Sequence, residues 1–595
     1  MENSKLIATV ASIWIQCTGG ASYTFGIYSA ALKSSQGYDQ STLDTVSVFK
    51  DIGANIGVLA GLLYHAVTNN HRNSTPSSSR FKCGLPIVYL FGVAQTSVLL
   101  RLHPYVVVHH RTHSQTERSA HVHLHVHGVT RSDFLQYRKY RRRRQEFSRL
   151  RWNNHRHYEE IKVKVKPPRE SYTHTKHLNQ MHWKVVPYAL SFIRYYYIEY
   201  ILNGFLGLSG AILIQIYLTF FDGKPTKFIL MLAVFPSLVS LILMFLIHEN
   251  PSNTTHDKHH LNKFSLGAIT IAGYLTIILY LQNKFVFSSR AHVITTIILG
   301  ILILLHLLIA CTAQTNEQQE ATEALIVASE SQVVASNSGP PAVELNLLQA
   351  MTTVNFWLLF ASMVCAMGSG LATINNVTQI GQSLEYSTTK INTILSLWSI
   401  WNFLGRFRGG FLSDFSLHKW GWGRPMFISI TLLAMVFGHL WIAFDGNLYF
   451  GTAIIGICYG SQWSLMPTIT SEIFGVKHMG TIFNTIAAAN PVGSYILSVR
   501  VLGSIYDKEA KGGGSCNGIH CFRDSFFVFA VVCVFGMFVS LVLFIRTKGF
   551  YVVVVNKRAE AEAVEVEVEE ERERRVGLYF VVVERREKVE RLIEN

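Results

Sequence analysis

Charge is the scarcest ingredient of this sequence. Only 15% of its 595 residues are Asp, Glu, Lys or Arg, whereas 49% are hydrophobic and the mean hydropathy is +0.24. A composition this poor in charge excludes an ordinary soluble domain and, over most of the length, a disordered chain. The short motifs of nucleotide and hydrolytic chemistry are missing as well. No Walker-type phosphate loop, Gly-rich dinucleotide fingerprint, His-Glu-x-x-His or nucleophile elbow stands in a workable setting. Neither a pump driven directly by ATP nor a membrane enzyme is therefore expected, and no catalytic residue, metal or cofactor is assigned. Cysteine is sparse too, with eight in the chain. Cys17, Cys311, Cys365 and Cys458 lie in or at the ends of apolar runs and read as small packing residues. Cys516 and Cys521 share a polar loop and are placed to form a local disulfide if that loop faces an oxidising compartment.

What the sequence has in abundance is apolar runs of bilayer length. They fall near 6–31, 46–66, 195–221, 228–248, 264–284, 292–312, 353–375, 391–411, 425–445, 448–468, 480–500 and 525–546. A hydrocarbon core ~30 Å thick takes roughly 20 apolar residues as a helix, and lipid leaves no other way to pair the backbone. The expectation is an all-α, multi-pass membrane protein. Small and polar residues run through 6–31 and other spans follow, so it reads as an uncleaved helix rather than a signal peptide. The polar stretch Thr315–Glu344, with Pro340-Pro341 close to its end, separates the first six spans from the last six. Two six-helix halves joined by a soluble loop is the layout of a transporter whose halves rock about a central site. The divisions are 1–312 for the first half, 313–350 for a cytoplasmic linker, 351–548 for the second half and 549–595 for a charged low-complexity tail.

The net charge of +15 is concentrated in one place. Residues 103–184 hold 18 Lys/Arg against 6 Asp/Glu, and 13 of the 25 histidines. The alternation His121-Val-His-Leu-His-Val-His127 would align imidazoles on one face of a strand, but the segment reads as a basic low-complexity loop without a fixed metal site. Such a loop attracts anionic lipid when it is cytoplasmic. With the N-terminus in the cytoplasm, 67–194 and Ser413–Arg424 both lie inside, provided that 85–102 does not cross. The sequons at Asn73 and Asn253 are then cytoplasmic and unglycosylated.

Polar groups inside the spans are costly and mark candidate sites. Asn375, Gln379 and Gln382 fall on one helical face at i, i+4 and i+7, with Asn376 adjacent. Gln462 and Trp463, and Asn484 with Asn490, are weaker candidates of the same sort. Gln16 and Tyr23 share a face of the first helix, and Lys50 and Asp51 form a potential charge pair beside the path. Gly53, Gly57 and Gly61, Gly405 with Gly409, and Gly456 with Gly460 repeat every four residues and permit close helix approach, static or sliding.

The run Asn402-Phe-Leu-Gly-Arg-Phe-Arg-Gly-Gly-Phe-Leu-Ser-Asp414, followed by Gly423-Arg-Pro425, resembles the loop signature of the major facilitator superfamily. Longer stretches resemble its plant nodulin-like branch: Trp14-Ile-Gln-Cys-Thr-Gly-Gly-Ala-Ser-Tyr-Thr-Phe-Gly26, Lys50-Asp-Ile-Gly-Ala-Asn-Ile-Gly57 and Gly204-Phe-Leu-Gly-Leu-Ser-Gly-Ala-Ile-Leu-Ile-Gln215, then Gly456-Ile-Cys-Tyr-Gly-Ser-Gln-Trp463 and Ser471-Glu-Ile-Phe-Gly475. The resemblance implies a major-facilitator-type bundle of about 12 transmembrane helices in two halves. The first half is expected to be incomplete, because the family would place two further helices where 67–194 stands. It also implies a secondary transporter of a small solute by alternating access, with a small organic anion as the suggested class and a proton as the coupling partner. Asn375, Gln379, Gln382, Gln462, Lys50 and Asp51 are assigned to the substrate path, and Arg406, Asp414 and Arg424 to a conformational latch. The expected partners are the solute and the lipid bilayer, not nucleic acid, in the plasma membrane or an endomembrane such as the vacuole. The alternative is a non-transporting sensor or scaffold using the basic, His-rich loop.

Overall fold

The computed structural model describes residues 5–54, 201–243, 257–327, 344–510 and 516–552, all within one compact unit made of 1–107 and 184–595. The expectations for 85–102, the loop 103–184, Asn73, Asn253, Gly57, Gly61, much of the linker and the tail beyond residue 552 concern residues outside this set. The described residues form helices and turns, with no strand among them.

The first expected span is broken. Helix α1 (Lys5–Thr18) passes through a 3-10 turn (Gly20–Thr24) into α2 (Phe25–Gln36). The break falls at Gly19-Gly20, where the chain presses against the 201–221 helix so closely that a Cβ on Gly20 would lie 2.7 Å from the Gly210 amide nitrogen. After a left-handed Gly37 (φ 65°) comes α3 (Gln40–Ala54). The first half continues with α4 (Ile201–Phe221), α5 (Pro225–Leu243), α6 (Asp257–Lys284) and α7 (Ser289–Val327).

A short α8 (Leu347–Met351) opens the second half under a reciprocal Asn346/Gln349 cap. Then come α9 (Val354–Ser383) and α10 (Thr388–Trp420), the latter started by the Ser387 hydroxyl and stopped by Gly421 at φ 66°. Pro425 occupies the first turn of α11 (Pro425–Ala443), where its missing N–H costs nothing, and α12 (Leu448–Phe474) follows. The expected span 480–500 is also segmented, into α13 (Met479–Ala487), α14 (Ala489–Ser494), a π-helical stretch (Tyr495–Gly503) and α15 (Ser504–Glu509). The last helix, α16, runs His520–Val552.

Seven described helices are long and apolar enough to cross a membrane: α4, α5, α6 and α9, the Ser289–Ile309 part of α7, α11 and α16. Their unpaired faces are apolar. Ile294, Ile297, Ile301, Leu304 and Leu308 of α7, and Val531, Phe535, Phe538, Val542 and Ile545 of α16, point outward as residues do in lipid. The protein is an integral membrane protein.

Two ends of the second half can be told apart. At one, the Leu345 amide donates to the Phe474 carbonyl at 3.0 Å, and Arg424 meets Glu472. At the other, Ser383 closes α9 against a hairpin stapled by a Cys516–Cys521 disulfide, the pairing open to it in the sequence. Inside the half, α10 and α12 touch backbone to backbone. A Cβ on Gly405 would strike the Ile457 carbonyl, and one on Gly460 the Asn402 carbonyl. The two halves meet where α9 lies along α2, with Thr378 Oγ1 donating to the Gly26 carbonyl at 2.9 Å. They meet again where Ile400 and Phe403 of α10 join a core with Phe205, Phe264 and Leu275.

Candidate functional site

The unwound turn between α1 and α2 is where the polar groups gather. A regular helix would consume its own carbonyls; here the Ser22 carbonyl accepts from Lys50 Nζ at 2.8 Å. Lys50 Nζ also lies 3.0 Å from Asp51 Oδ1 and 4.9 Å from the Phe25 ring centroid. Asn375 of α9 bridges the pair, donating to Asp51 Oδ2 at 2.8 Å and accepting from Lys50 at 3.2 Å. One turn further along α9, Gln379 donates to Ser29 of α2 at 3.1 Å. Lys50, Asp51, Asn375 and Gln379, singled out in the sequence, therefore sit together at the contact between the halves.

Arg406, assigned in the sequence to the latch with Asp414 and Arg424, lies on this same contact. It is fully buried; Nη2 donates to Tyr23 Oη at 2.8 Å, Nε to Asn402 Oδ1 at 2.8 Å, and the guanidinium lies 5.3 Å from the Trp463 ring centroid. Among the described residues its Nη1 has no partner. Among the same residues, two further buried donors nearby, Asn402 Nδ2 and Trp398 Nε1, also lack a partner. Trp398, Asn402 and Arg406 are spaced four apart and form one stripe of α10. Tyr459 and Trp463 of α12 complete the wall, with Trp398 and Tyr459 rings 5.9 Å apart. Buried donors without acceptors cost ~1–3 kcal/mol each, so a concentration of N–H groups around a cation is a site suited to a negative acceptor.

Two other assignments also move. Gln462 turns away from the centre toward α11, where Nε2 lies 3.3 Å from Thr431 Oγ1 and 3.1 Å from Met435 Sδ. Gln382 is exposed at the end of α9 rather than lining the path. Arg424, the next residue assigned to the latch, is fully buried and binds three groups. Nη1 donates to Ser413 Oγ at 2.7 Å, Nε straddles the Glu472 carboxylate at 2.9 and 3.0 Å, and Nη2 pairs with Asp414. Glu472 was missed in the sequence because it is remote from the signature; the cue was a carboxylate near the end of an apolar span. This cluster ties α10, α11 and α12 together within one half. Among the described residues one grouping has the side chains of a metal site, Cys516, His520 and Cys521, and its two sulfurs are joined to each other.

Family comparison places the chain. Residues 5–108 and 197–311 match the family model described as Nodulin-like, and residues 342–553 match the NFD4 C-terminal domain. The chain belongs to the nodulin-like family. Its described residues form the all-α membrane bundle that the sequence led one to expect. This nodulin-like protein is 24% identical over 388 residues to Protein NUCLEAR FUSION DEFECTIVE 4 of Arabidopsis thaliana, covering 58% of this chain and 66% of that one. It is 27% identical over 226 residues to Probable transporter MCH1 of Yarrowia lipolytica, covering 34% and 46%. The nodulin-like chain thus matches just under two thirds of the first relative and less than half of the second. A solved proton-dependent oligopeptide transporter overlays with 12% identity and a TM-score of 0.38, over 92% of this chain and 99% of that one.

Proposed function

We propose that this nodulin-like protein is a secondary transporter, not an enzyme, that carries a small organic anion between two membrane-separated compartments by alternating access. The observation that carries this reading is Arg406: a buried cation at the junction of the halves, with one N–H group and neighbouring donors that have no partner among the described residues. Lys50 and Asp51 neutralise each other, whereas no described carboxylate forms an ion pair with Arg406. The central region therefore holds one positive charge in excess among the described residues, and a carboxylate is the acceptor whose geometry matches a guanidinium. Both halves contribute here, since Arg406 of the second donates to Tyr23 Oη of the first, so the arrival of an anion at Arg406 bears on how the halves sit. The name of the Yarrowia relative, a probable transporter, agrees with the reading.

Orientation follows from the disulfide, which belongs in an oxidising compartment. The Arg424 end, with the start of the second half, then faces the cytoplasm, and the Cys516–Cys521 end faces the exterior or an organelle lumen. A proton is the natural coupling ion for moving an anion against its gradient.

Uptake into proteoliposomes tests the function. Labelled small carboxylates are expected to accumulate and their neutral amides to be excluded. Arg406→Lys, which keeps the charge but loses the planar fork, is expected to cut carboxylate uptake at least tenfold, as for a lost charge-assisted bond of ~1.5–3 kcal/mol. Equal uptake of amide and acid, or full uptake by the lysine variant, would contradict the proposal.

A further inference from the structure

Helix α3 belongs to the first half, yet its N-terminus is capped by the second. Asp39 provides the local cap, accepting from the Thr42 amide at 2.8 Å. The two preceding amides are met by Asp507 of α15: Oδ1 accepts from the Gln40 amide at 2.9 Å, and Oδ2 from the Ser41 amide at 3.0 Å and the Ser41 hydroxyl at 2.5 Å. One carboxylate thus satisfies two of the orphan donors of a helix it is not part of, at the positive end of that helix. Around it the halves are tied further. Gln40 donates to Asn376 Oδ1 at 2.7 Å, and Lys33 lies 4.6 Å from the Tyr506 ring centroid.

Tyr506, the residue before Asp507, is held by the disulfide hairpin. Its hydroxyl accepts from the Cys516 amide at 3.2 Å, its ring stacks on Phe522 at 5.1 Å, and the Cys516 carbonyl accepts from Ser383 Oγ at 2.7 Å. We propose that Asp507 is the gate contact that closes the disulfide end of the path by capping α3, and that the Cys516–Cys521 bridge keeps it in position, so that reduction loosens the gate. Lys33, Gln40 and Asn376 complete the seal between that end and Lys50, Asp51 and Asn375. A carboxylate on helix amides suits this task, because it binds firmly when docked and is readily solvated when released.

This inference rests on the transporter reading, but its test needs no substrate. In the full-length chain, Ser29→Cys places a thiol beneath the cap, and a membrane-impermeant maleimide applied from the disulfide side reports access. The chain without Ser29→Cys supplies the background. Asp507→Ala is expected to raise the labelling rate about five- to tenfold, the loss of a helix cap, and Asp507→Asn about half as much. Cys516→Ser with Cys521→Ser is expected to raise it roughly two- to threefold on the same capping scale. Where Asp507→Ala does not fold, Asp507→Asn and Ser41→Ala give the same reading. Unchanged labelling in a folded Asp507 variant overturns the gate, and unchanged labelling on removing the disulfide overturns its part. Faster labelling in a protein that moves no solute leaves the gate standing and removes the transporter reading.

Discussion

Arg424 shows how burial decides which of two ion pairs matters. Its partners differ in setting: the Glu472 side chain is 2% exposed and that of Asp414 is 32% exposed. Removing one member of a buried pair leaves an uncompensated charge and costs about 3–5 kcal/mol, whereas a half-exposed pair is worth ~0–1 kcal/mol. Glu472→Gln is therefore expected to lower the thermal midpoint of the detergent-solubilised protein well below that of Asp414→Asn, and Asp414→Asn to stay near wild type. Comparable losses from both would contradict this ordering. The same residues show what a sequence conceals. Lys50, Asp51 and Asn375 were legible because polar groups in an apolar span need partners. Arg406 was visible but misplaced, since a motif groups residues by proximity in the chain, and eight residues of helix separate Arg406 from Asp414 by ~12 Å. Gln462 was misplaced for a different reason: in a helix apolar all round, no polar face tells which neighbour a side chain meets.

At the scale of elements, repeated glycines serve two kinds of contact. Gly405 and Gly460 bring α10 and α12 together inside one half, where nothing needs to slide. Gly207 of α4 instead faces the other half, where a Cβ would lie 2.9 Å from the Phe403 backbone and 3.1 Å from Arg406 Cδ. Gly405→Val is expected to destabilise the protein by about 1–3 kcal/mol or more through overpacking, seen as a lower thermal midpoint. Gly207→Val, at the junction, is expected to depress uptake more than it depresses that midpoint. The reverse pattern would remove the distinction. Spacing alone could not separate these roles, because both read as small residues on a helix. Nor did hydropathy reveal the breaks in the spans 6–31 and 480–500, since a 3-10 turn or a π-helical stretch has the same composition as the helix it interrupts. The Gly19-Gly20 pair was the cue for the first, and its consequence, a carbonyl released to Lys50, is the origin of the site.

Over the whole molecule, the account requires that the two halves alternate. The contacts that join them at the disulfide end include a cap, a cation over a ring, and Gln40 on Asn376, beside the packing of α3 on the Tyr495–Gly503 stretch. Those at Phe403 and Phe264 form an apolar pivot. An arrangement of polar closure around an apolar pivot favours rocking of rigid bodies. Paired spin labels in the membrane-reconstituted protein test this most directly, one pair at Ser35 and Lys508 beside the gate and the other at Lys263 and Lys419 toward the Arg424 end. On adding a transported carboxylate, the account predicts opposite changes, with the distance at one end lengthening as the other shortens. Fixed single distances at both ends, with and without the solute, would contradict it.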